Sequence, residues 1–209
     1  MTRQASGTDR KLIFEGRKLL VKKGASSLSI RELVDKASVN LGLFNYYFKT
    51  KDNFVEIVLE EIYHDFITDL GQTESGEGLE KLRVQLLVTT TFARDNRTLI
   101  LSLFGDVLNE EKVVQKFVRT KMRKHLVILG KTIKQCQKDG LIIDAPLPLL
   151  ITQIAGSIGL SNLIPEFLKR LGMSKAFNIG LGALSKNLAT DKALNQRVDI
   201  TLKGLTIQH

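Results

Sequence analysis

The sequence predicts an all-α chain, and three observations carry that expectation. Apolar residues recur at three- and four-residue intervals along most of the chain, the period of helices that bury one face. Residues that start helices stand where those stripes begin, as Ser29, Asn40 and Thr50 do, and Gly24 and Gly71 stand where two of them end. Only three prolines occur, Pro146, Pro148 and Pro165, so no proline interrupts the pattern before residue 146.

Residues 1 to 7 are small and polar with Arg3, which reads as a frayed end or as a basic arm for a minor groove. Thr8 can cap a helix to Lys23, with Leu12, Ile13, Gly16, Leu19 and Leu20 inward and Gly24 as its stop. Ser29 and Glu32 have the spacing of a capping box, each able to satisfy a backbone N–H of the other. Ile30, Leu33, Val34 and Ala37 then form one short stripe. After a break at residues 37 to 40, Asn40 can cap a second helix in which Phe44 and Phe48 point inward.

That second helix leaves Gly42, Leu43, Asn45, Tyr46 and Tyr47 largely outside its buried stripe. An apolar and aromatic outward face needs a partner, and a DNA major groove suits this one. Asn45 can pair its amide with a base edge, Leu43 can meet a thymine methyl, and Gly42 admits close backbone approach. Tyr46 and Tyr47 can bond phosphates or bases, and Lys51 stands where the first N–H groups of the next helix would also face a phosphate. Ser29, Arg31, Asn40 and Leu41 complete the expected contact set, so Ser29 to Lys51 reads as a helix-turn-helix that binds DNA.

Thr50 can cap a long helix to about Leu70, with Phe54, Ile57, Val58, Ile62 and Phe66 inward and the acidic run Glu60, Glu61, Asp65 and Asp69 on its other sides. Gln72 to Gly78 is the clearest linker, which divides the chain into 1–71 and 72–209. Beyond it, helices are expected over 79 to 96, 97 to 109 and, as one long element, 110 to 138. A buried helix is expected over 148 to 163, a packed helical region with Phe167, Leu168, Leu171, Met173, Phe177 and Leu181 over 164 to 185, and a last helix over 191 to 205.

The formal net charge of +9 suits a polyanionic partner. Residues 1 to 55 carry eleven Lys or Arg against five acids, and residues 56 to 80 carry eight acids and no base. Residues 81 to 209 carry twenty bases against nine acids, so charge alone does not locate a DNA site. The basic face of residues 110 to 138 reads as solvated surface, as packing against the acidic neck, or as an attraction for an anionic effector such as an acyl thioester.

No charged start followed by an apolar run resembles a secretion signal, and the single cysteine, Cys136, excludes an internal disulfide framework; a cytoplasmic protein is expected. The apolar stretch Leu147 to Ile164 is interrupted by Pro148, Thr152, Gln153, Ser157, Ser161 and Asn162, which favours a buried helix over a membrane span. No phosphate-cradling loop, nucleophile elbow or zinc-protease motif occurs, Gly180 and Gly182 lack a third glycine, and His64, His125 and His209 form no triad. Neither an enzyme, a metal nor a cofactor is expected.

The segment VNLGLFNYYFKTKDNF, residues 39 to 54, resembles the recognition helix and following helix start of TetR-family transcriptional regulators, and the likeness extends over about residues 8 to 66. Leu41, Leu43 and Asn45 depart from the family's usual residues there, which bears on operator sequence rather than fold. The resemblance implies a three-helix DNA-binding head, a larger helical body that binds an effector and dimerises, and repression relieved by a small molecule. It places the dimer interface at roughly 147 to 163 and 175 to 205, implies a homodimer on a near-palindromic operator, and matches the closing K-G-L.

A pocket for a small apolar or amphipathic effector is suggested by the apolar surplus of residues 86 to 163. Phe92, Leu103, Phe104, Leu108, Phe117, Met122, Ile154 and Phe167 are its candidate walls. Two other readings stand beside this one: a DNA-binding regulator without a small-molecule effector, and a helical enzyme or scaffold whose N-terminal likeness misleads.

Overall fold

The computed structural model describes residues 7–176 and 178–207. The basic arm with Arg3, Phe177 and the terminal His209 lie outside the described residues. The chain is almost wholly helical: α1 (Gly7–Lys23), α2 (Ile30–Ala37), α3 (Leu41–Phe48), α4 (Lys51–Gly71), α5 (Gly78–Asp95), α6 (Arg97–Leu108), α7 (Lys112–Thr120), α8 (Lys124–Lys138), α9 (Leu147–Ile154), α10 (Ile164–Arg170), α11 (Leu181–Ala189) and α12 (Asp191–Leu205).

The helices form two compact units. One holds α1 to α3, α4 as far as His64, and Thr98–Met122; the other holds Asp65–Arg97 and the chain from Arg123 onward. This line differs from a division at the linker, because α6 and α7 pack with the N-terminal helices although they follow it in sequence.

In the first unit, Leu12, Leu19 and Leu20 of α1 are buried with Leu33, Val34 and Ala37 of α2 and with Phe44 and Phe48 of α3. Phe54 of α4 joins them, its ring 5.4 Å from Phe44 and 4.8 Å from Phe48. Gly16 makes room for that ring, since a Cβ there would lie 2.3 Å from Phe54 Cζ. The acidic side of α4 pairs with Lys116 of α7 through Glu56 at 2.9 Å and with Lys121, just past its end, through Glu60 at 2.8 Å, while Tyr63 meets Phe117 edge-on.

The single helix expected over 110 to 138 is two. Glu110 takes a φ of 58°, α7 ends at Thr120, and the chain turns before α8 begins at Lys124. The reason lies in the stripes: α7 buries Val113, Val114 and Phe117, and α8 buries Leu129, Ile133 and Cys136. On one straight helix the centres of these stripes would stand about a third of a turn apart, so one rod could not bury both on one face.

The second unit is built around α5. Leu82 and Leu86 pack with Leu129, Ile133 and Cys136 of α8, Leu150 and Ile154 of α9, and Val198, Leu202 and Leu205 of α12. Past α9 the backbone passes through a π turn at Ala155–Gly159 and a 3-10 turn at Leu160–Asn162. The carbonyl of Ile158, displaced from the regular ladder, accepts from the Thr90 hydroxyl at 2.8 Å and from Asn162 Nδ2 at 2.7 Å. The widened turn is therefore satisfied by side chains.

Arg197 of α12 donates to Asn162 Oδ1, Ser161 Oγ and the Leu188 carbonyl, and its burial without a carboxylate pushes its pKa down. Residues 164 to 185 are not the packed helical region expected. Gly172, at φ 73°, follows α10, and a short antiparallel pair, β1 (Lys175–Ala176) and β2 (Ile179–Gly180), precedes α11. Phe167, Leu171 and Met173 are exposed rather than packed.

No single helix among the described residues is long and apolar enough to cross a membrane. The run from Leu147 to Arg170 passes by composition only as a pair bent by 51°, and Leu150, Ile154, Ile158 and Leu163 along it are buried within the protein.

Candidate nucleic-acid interface

The reading unit is assembled by local caps. The Ser29 hydroxyl accepts from the Glu32 N–H at 3.4 Å and starts α2. The reciprocal half of the capping box is absent, because the Glu32 carboxylate turns instead to Lys23 at 2.7 Å. That ammonium, through its hydrogen bond, holds the Glu32 carboxyl below its ordinary pKa. At the other end Ser38 takes a left-handed φ of 54°, and the Val39 N–H returns to the Val34 carbonyl at 3.0 Å, which closes α2 and aims the chain into α3. Asn40 Oδ1 then accepts from the Leu43 N–H at 2.9 Å.

Phe44 and Phe48 anchor α3, and the side opposite them is open. Gly42, Asn45 and Tyr46, spaced i, i+3 and i+4, are exposed along it, Tyr46 at 57%, with half-buried Leu43 and Tyr47 at its flank. Leu41 is exposed at the start of the helix, and the Tyr46 and Tyr47 rings stack edge-on at 5.2 Å. Nothing but Asn40 Oδ1, at 3.2 Å, lies near a Cβ built on Gly42, so its value at this surface is a bare backbone rather than internal clearance. Arg31 is exposed on α2.

Thr50 caps α4 by accepting from the Asn53 N–H at 3.1 Å, and Asn53 Nδ2 bonds the Phe48 carbonyl at 2.9 Å. Lys51, at the first position of α4, donates its Nζ to the Ser26 carbonyl at 3.1 Å. Thus all ten residues expected at DNA lie on α2, α3, their caps or the start of α4. Ser29 and Asn40 also have structural duties there. An exposed short helix with an amide, hydroxyls and apolar groups, next to lysine and arginine, can present hydrogen bonds to base edges and cations to phosphates.

The eight residues expected to wall an effector pocket are divided between the two units. Leu103, Phe104, Leu108, Phe117 and Met122 belong to the first, and Phe92, Ile154 and Phe167 to the second. Leu108 is 82% exposed, and Phe104 and Phe167 are about half exposed. Phe92 stacks on Phe66 with ring centres 4.3 Å apart, and His125 lies against the same Phe66.

Missed from the sequence were Gln85 and Asp106, both polar groups set on apolar stripes. Gln85 is wholly buried on α5. Asp106 stands three to seven residues after Leu99, Ser102 and Leu103 on the buried side of α6. An amide or carboxylate in register with leucines was the available signal.

A short helix presented in this way, from a three-helix head within an otherwise helical chain, defines a helix-turn-helix DNA-binding regulator. Residues 12–58 match the model of the bacterial regulatory proteins of the tetR family. YttP of Bacillus subtilis (strain 168), assigned as an HTH-type transcriptional regulator, is 24% identical over 168 residues, covering 78% of this chain and 81% of that one. Among solved structures, a Clostridium perfringens protein assigned to fatty acid metabolism regulation is similar with a TM-score of 0.70 and 20% identity, over 95% of this chain and all of that one. Reduced NemR of E. coli gives a TM-score of 0.66 and 18% identity, over 97% and 99% of the two chains. The chain is a DNA-binding transcriptional regulator whose head, residues 12–58, is similar to that of the tetR family.

Proposed function

We propose that the protein is a homodimeric repressor that reads a near-palindromic operator with α3 and leaves it when a small apolar or amphipathic molecule binds. The observation that carries the reading of DNA is the open face of α3, with Gly42, Asn45 and Tyr46 directed away from Phe44 and Phe48. In this reading Asn45 pairs with a base edge, and Leu41 and Leu43 meet thymine methyls. Tyr46, Tyr47, Ser29, Arg31, Asn40 and Lys51 fix the register on phosphates and neighbouring bases. In this reading the protein acts in the cytoplasm, where its operator lies.

Pairing of two chains is supported by the apolar residues left open along the α9–α10 run and on α12: Leu149, Leu160, Ile164, Phe167 and Leu171, with Ile200 at 72% exposure. A two-fold axis there would repeat α3 at one DNA turn or a multiple of it.

Effector control is supported by Gln85, whose Nε2 and Oε1 are buried with no partner among the described residues. An unpaired buried amide costs on the order of 1–3 kcal/mol. A mainly apolar ligand offering one donor and one acceptor would recover that cost.

The test compares Asn45→Ala with Lys51→Ala on duplexes that vary one base pair at a time. Lys51→Ala should weaken binding to all of them alike and lower the salt slope by about one. Asn45→Ala should flatten the preference at one position of each half-site. An equal loss on every duplex for Asn45→Ala contradicts its role as a base reader.

A further inference from the structure

The loop joining α1 to α2 is held by a carboxylate from far along the chain. Asp106, near the end of α6 and 2% exposed, accepts from the Ala25 N–H at 2.7 Å, the Ser26 N–H at 3.1 Å and the Ser26 hydroxyl at 2.8 Å. One turn earlier on α6, the Ser102 hydroxyl reaches the Val21 carbonyl at 3.4 Å.

The loop is shaped to receive this group. Gly24 takes a φ of 79°, and a Cβ there would lie 2.9 Å from Asp106 Oδ1, so glycine is required for both conformation and clearance. An ionised carboxylate accepts only, and here it faces three donors. A carboxamide in its place would turn an NH2 toward at least one of them.

From that loop the connection continues to the DNA side. The Ser26 carbonyl accepts the Lys51 ammonium, and Lys51 begins α4. We infer that Asp106 is a positioning residue for operator binding: by fixing Ser26 from α6, it fixes the carbonyl that holds Lys51 toward the phosphate backbone. This inference rests on the reading of Lys51 as a phosphate contact. It makes α6 a part of the DNA-binding apparatus without touching DNA, and any displacement of α6 relative to the α1–α2 loop would be felt at Lys51.

The experiment uses the full chain and a duplex selected from a random pool, and compares Asp106→Asn, Ser26→Ala, Lys51→Ala and the double variant Asp106→Asn with Lys51→Ala. Affinity at several salt concentrations and melting temperature are read for each. Asp106→Asn should stay cooperatively folded and lose roughly tenfold or more in affinity, the scale of one broken buried charged hydrogen-bond set. The double variant should lose little more than Lys51→Ala alone, since both act through one ammonium.

Ser26→Ala, which removes one donor and leaves the carboxylate, should lose a smaller factor at unchanged melting temperature, and it decides the matter if Asp106→Asn fails to fold. Full affinity in Asp106→Asn and Ser26→Ala, with loss in Lys51→Ala, overturns the inference alone. Multiplying losses in the double variant also overturn it, since Asp106 would then act independently of Lys51. No loss in Lys51→Ala overturns the phosphate-contact reading together with the inference.

Discussion

Gly16 and Phe54 show how tightly the head is packed. Gly16→Ala would drive a methyl to 2.3 Å of the Phe54 ring, and overpacking of this kind costs about 1–3 kcal/mol. Phe44→Ala would empty the contact between α3 and both Phe48 and Phe54, a loss of about 3–5 kcal/mol for a buried ring. Chemical denaturation of each variant checks these values, and unchanged midpoints would contradict the packing described. Cys136 is fully buried, and burial pushes its thiol pKa up. Its thiolate is therefore scarce at neutral pH, and alkylation should be slow until the protein unfolds; reaction at the rate of a free thiol in native protein would contradict its burial. The stripes of α1 to α3 were legible in the sequence because each lies within a few residues of its caps. Asp106 was not, because its partners are about 80 positions away and no local pattern announces them.

At the scale of elements, caps located α2, α3 and α4, since Ser29, Asn40 and Thr50 each bond the N–H that their position predicts; stripes placed α1, α5 and α6 closely, but α1 already includes Gly7, so Thr8 lies within it rather than capping it. The break between α7 and α8 was missed because both halves are amphipathic and strongly basic, and only the phase between their stripes separates them. The turn with β1 and β2 was missed because short strands of two residues carry no period. Of the readings offered for the basic face, packing against the acidic side of α4 holds for Lys116 and Lys121. The Glu60 carboxylate, chiefly by its hydrogen bond, raises the Lys121 pKa. Exposed pairs of this sort contribute about 0–1 kcal/mol, so Lys116→Ala should move the thermal midpoint only slightly. A large drop would assign that lysine a role the pair does not explain.

For the whole molecule, the outward face of α3 was legible in the sequence, whereas the eight residues proposed as effector walls fall in both units. The first depends on eight contiguous residues, whereas the second depends on which of many apolar side chains the fold leaves beside a cavity. Gln85 is the sharper handle on an effector: Gln85→Leu should raise the melting temperature and abolish release from DNA by any compound that releases the parent protein. Retained release would remove Gln85 from the effector site. Dimerisation can be tested at the open apolar run, where Leu160→Glu with Phe167→Glu should give monomers by sedimentation and weaken operator binding strongly while a single half-site is bound as before. Dimers that persist in the double variant would place the interface elsewhere.

Whether α3 reads a specific sequence as one half of a pair is decided by selecting bound duplexes from a random pool with purified protein at two salt concentrations. A near-palindromic motif should survive the higher salt, with half-sites one helical turn or a multiple apart and a preference that Asn45→Ala erases at one position. Enrichment of no motif, or binding that vanishes uniformly as salt rises, would contradict that role of α3.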